Sequence, residues 1–478
     1  MRVPVPWLYF FALVALFFIG AFLASYRLAE SPPPWRDEGI VTQVARNVAH
    51  TGAYAVQISP DVMISAGFVT TGYPLIYPVA IALRLFTDDF MAARGVMVGF
   101  IILFLVSAYL WVLKEEGRGH AILSLALLVS FAPLYGHGRS VIGEVPGMFF
   151  LILFLIAMSS WVSRVGATPA HAVMPGILLG LTMATKPIFL IILIPTLLLW
   201  FVSLNRKSFS WTSLLVFIMA TLVPVGWWIF VQFGGESLGE ILRVYSGNPE
   251  RVSLFVTMST NLSQILRHVE TLYFLGLLGA WVLGLISAFY RNEPLSKTEG
   301  LAVIFSVLVL CAYLTSDGYY RYFFPAQVLT LIYLPLSLTR ILAALYSARF
   351  ATSTAVFMVG ALVVFQLYTT LTSSFVANYW NSERAALLSN ALKSLPAYES
   401  ILVYDVPEAV PFLPHDTYYQ FAQFALTKLG EKSLPRLLKE RIPDTIIIHS
   451  GSYEDNSLIM SGYELKEGLG KYSLLMRR

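Results

Sequence analysis

Charged side chains are scarce in this sequence of 478 residues. Asp, Glu, Lys and Arg together make up 13% of it, against roughly 25% in an average soluble protein. Hydrophobic residues make up 57%, and the mean hydropathy is +0.70. This composition excludes a soluble globular enzyme, a disordered chain and a nucleic-acid-binding protein with a basic face. It indicates a protein solvated mostly by lipid.

Cysteine is almost absent as well. The sequence contains one, Cys311, which excludes an intramolecular disulfide and a cysteine-based metal centre. It lies in an apolar run, which favours a small residue in the core or against lipid. The net charge of +4 indicates no anionic partner, because in a membrane protein the side of the bilayer on which each charge lies matters more than the sum.

Long apolar runs are abundant. A membrane-spanning helix needs about 20 mostly apolar residues, and about eleven stretches reach that length or fall slightly short of it. They are Trp7–Ser25, Phe90–Leu113, Gly119–Leu134, Glu144–Val162, Ala172–Ala184, Pro187–Leu204, Trp211–Phe233, Thr271–Tyr290, Gly300–Leu314, Tyr322–Leu345 and Ala351–Phe375. The first run is too long for the apolar core of a signal peptide, so we expect a retained helix. Tyr73–Phe86 is shorter and contains two prolines, which favours a re-entrant or interface-lying segment.

The basic residues of the short loops fall mostly on one side. With the N-terminus inside, nine Lys and Arg residues lie in the inner loops, and three lie in the outer loops. This bias predicts a cytoplasmic N-terminus in a plasma (inner) membrane and an odd number of spans. We expect a transmembrane domain over residues 1–375, with long outer loops at 27–89 and 234–270. Residues 376–478 then form a small extracytoplasmic α/β domain.

The tail has its own pattern of elements. Ser400–Tyr404 and Thr445–His449 are typical of short buried strands. Amphipathic helices are predicted over Tyr418–Leu429 and Leu434–Arg441. Tyr463–Arg478 has the pattern of a hairpin around a pair of glycines.

Ionisable residues are nearly missing from the interiors of the predicted spans. A charge at mid-helix costs at least about 2.5–3.5 kcal/mol, and ion-coupled transporters keep their coupling sites near that depth. The ionisable residues collect instead at the outer ends of spans, at Asp37, Glu38, Arg139, Glu144, Lys186, Asp317 and Arg321. Carboxylates suit general-base chemistry or a metal, and cations at headgroup level suit a phosphate. As an alternative, these cations extend to the interface without binding, and Glu144 interacts with a helix dipole.

The order of these motifs resembles the GT-C glycosyltransferases that use polyprenyl-phosphate sugars, nearest to the protein O-mannosyltransferase and aminoarabinose-transferase-like branch. The first matching segment is an acidic pair directly after the first span, followed by an expected amphipathic helix that ends in a glycine, Asp37-Glu38-Gly39-Ile40 to Gly52. The others are Gly72-Tyr73-Pro74-Leu75-Ile76-Tyr77, Ala93-Arg94, Arg139 to Glu144-Val145-Pro146, Gly180-Leu181 to Thr185-Lys186, and Arg321-Tyr322-Phe323-Phe324-Pro325. The resemblance covers about residues 1–345. It implies an all-α polytopic GT-C-like fold with about eleven transmembrane helices and a catalytic first outer loop.

The resemblance also implies a reaction. Asp37 is the general base and Glu38 supports it. The donor and its lipid phosphate are bound by Arg139, Glu144, Lys186, Arg321 and Tyr322. A sugar moves from a polyprenyl-phosphate donor to a lipid, glycan or protein acceptor on the outer side. A divalent metal at Asp37-Glu38 stays open, because two adjacent carboxylates do not specify one.

Two alternatives and two details stay open. The chain could instead be a flippase or transporter of lipid-linked sugars, which the uncharged span interiors disfavour, or a non-catalytic scaffold. Thr71-Gly72-Tyr73-Pro74 lacks the basic residue and the second adjacent proline of the lipid-A-modifying branch, so the acceptor is left open. Asn261-Leu262-Ser263 is a glycosylation sequon in a predicted outer loop.

Overall fold

The computed structural model describes most of the chain. The described residues are 5–60, 62–86, 89–164, 168–203, 210–234, 253–316, 320–374, 376, 382–396, 400–413, 417–421, 442–450 and 462–478. Asp317 and the predicted helix Leu434–Arg441 lie outside them.

The described part of the chain is mainly helical. Its α-helices are α1 Val5–Ser25, α2 Arg36–Thr51, α3 Tyr73–Leu85, α4 Phe90–Glu116, α5 Arg118–Ser130, α6 Ala132–Arg139, α7 Glu144–Val162, α8 Val173–Thr185, α9 Leu193–Ser203, α10 Trp211–Phe233, α11 Leu254–Arg267, α12 Val269–Tyr290, α13 Lys297–Thr315, α14 Phe324–Ala343, α15 Ala348–Thr372 and α16 Ser382–Lys393. Short 3-10 helices cover Pro169–Ala172, Pro187–Ile192, Tyr320–Phe323 and Pro407–Phe412. The strands are β1 Ala55–Ser59, β2 Val62–Ser65, β3 Ile401–Tyr404, β4 Tyr418–Phe421, β5 Thr445–His449, β6 Tyr463–Leu469 and β7 Tyr472–Arg477.

Eight of the described helices are long and apolar enough to cross a membrane, or nine if the bent pair α5–α6 counts as one span. These eight coincide with eight of the eleven predicted stretches. The other three are that bent pair and two shorter apolar helices, Pro169–Thr185 and Pro187–Trp200. The polytopic architecture is therefore confirmed, whereas the number of eleven stays a prediction.

The helices are arranged around α4, α7 and α14, whose faces are the most buried, while α1, α10 and α15 expose most of theirs. The exposed side chains of these outer helices are largely apolar, as in Phe18, Phe230 and Phe357. Lipid is the solvent that such surfaces require. Large aromatic side chains such as Trp111 and Trp281 fill the interior.

The predicted stretch Gly119–Leu134 is not one straight helix. It divides at Phe131 into α5 and α6, which are bent by 61°. Pro133 explains the break, because it has no N–H to bond the carbonyl of Val129, and its ring would clash with that carbonyl in a continuous helix. The bend turns the chain into α6, which ends at Arg139 immediately before the loop to α7.

The helix α2 follows the first span after a short loop and carries Asp37 and Glu38 in its first turn. It ends at Gly52, whose φ of 76° is the left-handed conformation that favours glycine. All of its residues from Glu38 to Asn47 are buried. The amphipathic helix expected after the acidic pair is thus present, packed between α3, β1 and the C-terminal Pro407–Phe412 helix.

The C-terminal part contains a five-stranded sheet in the order β4-β3-β5-β7-β6. The strand β3 is parallel to β4 and β5, while β7 is antiparallel to β5 and β6. Asp444 links the starts of β3 and β5, since its carboxylate accepts hydrogen bonds from the Ser400 N–H at 3.0 Å and hydroxyl at 2.8 Å. These bonds hold the pKa of Asp444 below its usual value.

The sheet confirms the strand predicted over Ser400–Tyr404, which is observed as Ile401–Tyr404, the strand Thr445–His449 and the terminal hairpin. The helix predicted over Tyr418–Leu429 is wrong at its start, because Tyr418–Phe421 forms the edge strand β4. Burial alternates along these four residues, with Tyr418 and Gln420 buried. Three of these four residues are aromatic, and aromatic residues are enriched in strands. The rest of that predicted helix lies outside the described residues.

The sequon asparagine lies inside a helix. Asn261 is buried in α11, and its side-chain amide donates to the carbonyls of Tyr313 at 3.0 Å, Leu314 at 3.2 Å and Ser316 at 2.8 Å. The amide therefore caps the end of α13 and is inaccessible to a glycosylating enzyme.

We expect no glycan at Asn261 in a host that glycosylates such sequons. Asn261→Gln should leave the electrophoretic mobility unchanged and lower the melting temperature in detergent by several degrees, since hydrogen bonds worth about 1 kcal/mol each are lost. The control Ser263→Ala removes the sequon but keeps the amide, so it should change neither quantity. A mobility shift that a glycosidase removes from the parent protein but not from Asn261→Gln would contradict this.

Candidate active site

Glu38 is fully buried and bound on both carboxylate oxygens. Arg94 of α4 donates to it through Nε at 2.9 Å and Nη2 at 2.8 Å, and the Val141 N–H donates at 3.0 Å. The same guanidinium donates to the carbonyls of Leu28 and Pro32, each at 2.7 Å. Glu38 and Arg94 therefore join α2, α4, the end of the first span and the loop before α7 at one point.

Arg139 contacts the protein interior. Its side chain is buried, and it donates to the carbonyl of Ser31 at 3.1 Å and to that of Leu23. These bonds hold the end of α1 against α6. The donor-phosphate contact that the sequence predicts for Arg139 stays a prediction, because here its guanidinium faces main-chain carbonyls.

Asp37 directly precedes Glu38 in the first turn of α2 and is far more accessible. Its side chain is 36% exposed, and its Oδ2 is 2.7 Å from Nη1 of Arg321. The guanidinium of Arg321 also lies over the ring of Trp35, 4.6 Å from its centroid, and 5.8 Å from that of Tyr322. An accessible carboxylate thus stands at the N-terminus of α2, where the helix dipole stabilises its charge.

Glu144 and Lys186 form a second ion pair, which is buried. Glu144 is the first residue of α7, and Lys186 is an extended residue between α8 and the 3-10 helix at Pro187. The Lys186 ammonium donates to Oε1 of Glu144. Both side chains are at most 5% exposed. Lys186 therefore does not extend to the membrane interface, as a lysine without a binding role would.

Gly143 makes this pairing sterically feasible. A Cβ at this position would lie 2.8 Å from the carbonyl oxygen of Thr185 and 3.3 Å from Cβ of Lys186. The loop before α7 therefore approaches the break after α8 more closely than any other residue type would permit.

The two pairs belong to one cluster. Arg321 interacts electrostatically with both Asp37 and Glu144, and Lys186 with both carboxylates as well. His137 of α6 adds a ring beside them, 5.4 Å from that of Phe324. The structure thus brings Asp37, Glu144, Lys186, Arg321 and Tyr322 together from four separated segments, while Glu38 and Arg139 brace the elements that carry them.

This arrangement has a defined chemical capability. The partly exposed carboxylate of Asp37 can accept a proton from a bound hydroxyl or amine. The two cations Lys186 and Arg321 can stabilise negative charge that develops on a nearby phosphate. The low dielectric of a site at the membrane strengthens both effects.

The geometry does not fit a metal held by Asp37 and Glu38 together. Glu38 faces Arg94 and the Val141 N–H, whereas Asp37 faces Arg321 on another side of the helix. The two carboxylates therefore do not converge on one point. Across the described ranges, no group of three or more His, Cys, Asp and Glu side chains is arranged to hold a metal ion.

Sequence reasoning missed some residues of the site. Arg94 lies in a matching motif to which the resemblance assigns no role, although it is the partner of Glu38. Trp35, which lies under Arg321, and His137 were not assigned to the site either. Arg94 could have been found because it is a lone cation near the start of a predicted span. A cation buried at such a position requires a partner of opposite charge.

Comparisons with known proteins concern the fold. No family model and no curated protein matches the sequence. The structure of ArnT from Cupriavidus metallidurans bound to undecaprenyl phosphate is similar with a TM-score of 0.67 and 13% identity, over 99% of this chain and 98% of that one. Apo oligosaccharyltransferase from Archaeoglobus fulgidus is similar with a TM-score of 0.58 and 13% identity, over 92% and 69%. The same organism's AglB, in complex with an inhibitory peptide and a dolichol-phosphate, gives 0.58 and 13% over 98% and 74%. The expected GT-C-like fold is confirmed.

Removal of one partner of the buried Glu38–Arg94 pair should be severe. Arg94→Ala leaves a buried carboxylate without its cation, which typically costs about 3–5 kcal/mol. We expect a large drop in melting temperature in detergent, measured by tryptophan fluorescence. The control Arg84→Ala removes an exposed cation from α3 and should leave the melting temperature within about a degree, since surface charges contribute little. Equal melting temperatures for both variants would refute the anchoring role of Arg94.

Proposed function

We propose that this chain is an integral membrane glycosyltransferase that moves a sugar from a polyprenyl-phosphate donor to an acceptor on the outer side. The observation that carries the proposal is the cluster itself, in which an accessible carboxylate lies beside two cations. The GT-C-like fold supports it, and two of the similar structures hold undecaprenyl phosphate and dolichol-phosphate.

In the proposed reaction Asp37 is the general base. It accepts the proton of the acceptor hydroxyl or amine while the acceptor atom forms a bond to the anomeric carbon. The bond from that carbon to the phosphate oxygen breaks, and its electron pair leaves with the polyprenyl phosphate. Asp37 suits this role better than Glu38 and Glu144, because both of those are buried and bound to cations. General-base assistance is typically worth about 10²–10⁴-fold.

Arg321 would contact both the base and the phosphate of the leaving group. In the structure it is paired with Asp37, so one carboxylate oxygen of Asp37 faces the guanidinium instead of an acceptor. A donor phosphate would compete for the same guanidinium, which binds phosphate well. We therefore infer that donor binding draws Arg321 toward the phosphate and leaves the carboxylate of Asp37 free to contact the acceptor.

Lys186 would supply the second charge to the phosphate. Its ammonium is already fixed by Glu144 and lies in the electrostatic range of Asp37. A preformed cation costs no reorganisation when charge develops on the leaving group. Tyr322 lies beside Arg321 and would line the donor side.

The positive-inside bias supports a plasma-membrane location with a cytoplasmic N-terminus, which would place this cluster and residues 376–478 outside. The isoprenoid could then remain in lipid while the sugar reaches α2. The donor sugar, the isoprenoid and the acceptor are not identified by these residues.

The first test replaces the base. Asp37→Asn keeps the size of the side chain and a polar contact to Arg321, but it removes the basic group. In nanodiscs with a labelled polyprenyl-phosphate sugar, the rate of transfer should fall about 10²–10⁴-fold at normal expression and melting temperature. Nanodiscs have no second compartment, so transfer by the parent protein would also reject the flippase alternative.

The control for this test is Glu30→Gln, which alters an acidic side chain of the same outer loop that pairs with Arg27 at the surface. It should transfer sugar at the parent rate. Parent-level transfer by Asp37→Asn would reject Asp37 as the base.

The second test distinguishes a role of Lys186 in donor binding from a role in protein stability. Lys186→Met alone leaves Glu144 buried without its cation, so it should both destabilise the protein and raise the donor concentration needed for half-maximal rate. The double variant Lys186→Met/Glu144→Gln removes both charges, and it should recover the melting temperature. If Lys186 binds the phosphate, the double variant still needs about tenfold more donor, at an unchanged acceptor requirement. A normal donor requirement in the double variant would limit Lys186 to a structural role.

A further inference from the structure

We propose that residues 400–413 and 417–421 of the C-terminal part position the first turn of α2, so that this sheet region contributes to the geometry of the active site. The inference rests on the proposed function of Asp37. It follows from the contacts that α2 makes on each of its sides.

Consecutive residues of the first turn of α2 contact different parts of the protein. Asp37 faces Arg321, and Glu38 faces Arg94, both from the transmembrane part. Arg36 points the other way, and its Nη2 is 2.8 Å from Oδ1 of Asp405, just after β3. The base is therefore held between the membrane helices and the C-terminal sheet.

Gly39 is the point of closest approach. A Cβ there would lie 2.3 Å from the carbonyl oxygen of Pro407 and 2.5 Å from both Cα and N of Glu408. These are backbone atoms and could not move aside as a side-chain tip would. The 3-10 helix Pro407–Phe412 thus packs directly on the backbone of α2, two residues from the base.

The 3-10 helix is itself fixed to the sheet. The buried Glu408 carboxylate accepts hydrogen bonds from the Tyr472 hydroxyl at 3.0 Å and from Lys471 at 3.3 Å, both at the start of β7. Burial and the neighbouring carboxylate raise the pKa of Tyr472, which keeps it a neutral donor. At the other end, the ring of Phe412 lies 5.0 Å from that of Phe90, at the start of α4.

Further contacts extend along α2. Gln43 donates to Oε1 of Gln420 at 2.7 Å and to the hydroxyl of Tyr418, and Arg46 donates to the carbonyl of Leu413 at 3.3 Å. A helix of this length is marginal by itself, so these contacts help decide where it lies. A shift of about 1 Å at a catalytic group can cost about 10²-fold in rate.

The test uses full-length protein in nanodiscs and measures two quantities. One is hydrogen exchange of the amides of residues 36–51, and the other is kcat and donor KM for transfer. Asp405→Asn removes the charge that faces Arg36, and Asn tolerates the positive φ of 52° at this position. Gly39→Ala inserts the methyl group at the contact with Pro407. The matched control is Gly95→Ala in α4, where a Cβ meets nothing within 4 Å.

Asp405→Asn and Gly39→Ala should each lower kcat about tenfold with donor KM within about twofold, and should raise exchange in the first turn of α2 about tenfold. Gly95→Ala should change neither. Arg36→Ala should match Asp405→Asn, and the double variant should be no worse than either. Arg36→Lys keeps the cation and should retain most of the rate.

The outcomes separate this inference from the proposed function. If the parent protein transfers no sugar, the proposed function fails, and the exchange data still decide whether the sheet region holds α2. Unchanged exchange in Asp405→Asn and Gly39→Ala overturns the inference. So does raised exchange at a normal kcat, or a lowered kcat at normal exchange, because positioning requires both to change together.

Discussion

The buried pair of Glu38 and Arg94 is the constraint around which the outer face of this protein is arranged. A carboxylate and a guanidinium without access to water are tolerated only when every polar atom is satisfied. Here that requirement draws in the carbonyls of Leu28 and Pro32 and the N–H of Val141. The chain from Leu28 to α2, the start of α4 and the loop before α7 thereby meet under the first turn of α2. The direction of Asp37, one residue earlier, is a consequence of this junction.

The sequence predicted best those features that depend on local pattern. Long apolar runs gave the major spans, and an acidic pair followed by an amphipathic stretch and Gly52 gave α2. Features decided by tertiary packing were not predictable in the same way. The bend at Phe131 lies within an apolar run that conceals the effect of Pro133, and the edge strand β4 was interpreted as a helix because its pairing with β3 is not visible in the sequence.

The site illustrates the same division. The sequence placed several carboxylates and cations on one side of the membrane, but it did not indicate which of them pair. The sequence alone does not show which cation pairs with which carboxylate. In the structure Arg94 binds Glu38, Arg321 binds Asp37 and Lys186 binds Glu144. Only these pairings distinguish the accessible carboxylate of Asp37 from the buried carboxylates of Glu38 and Glu144. Close backbone approaches such as that of Gly143 to Thr185 are also invisible before the fold is known.

The break at Lys186 has a consequence for the membrane itself. The helix α8 has 13 residues and is therefore about 20 Å long, whereas the hydrocarbon layer of a bilayer is about 30 Å thick. If α8 crosses the membrane, as the sequence predicts, the bilayer must thin locally around it, because tilt would shorten the thickness that the helix covers. The thickness of the bilayer would then affect the position of Lys186, and the geometry of the charged cluster would depend on the lipid composition of the membrane.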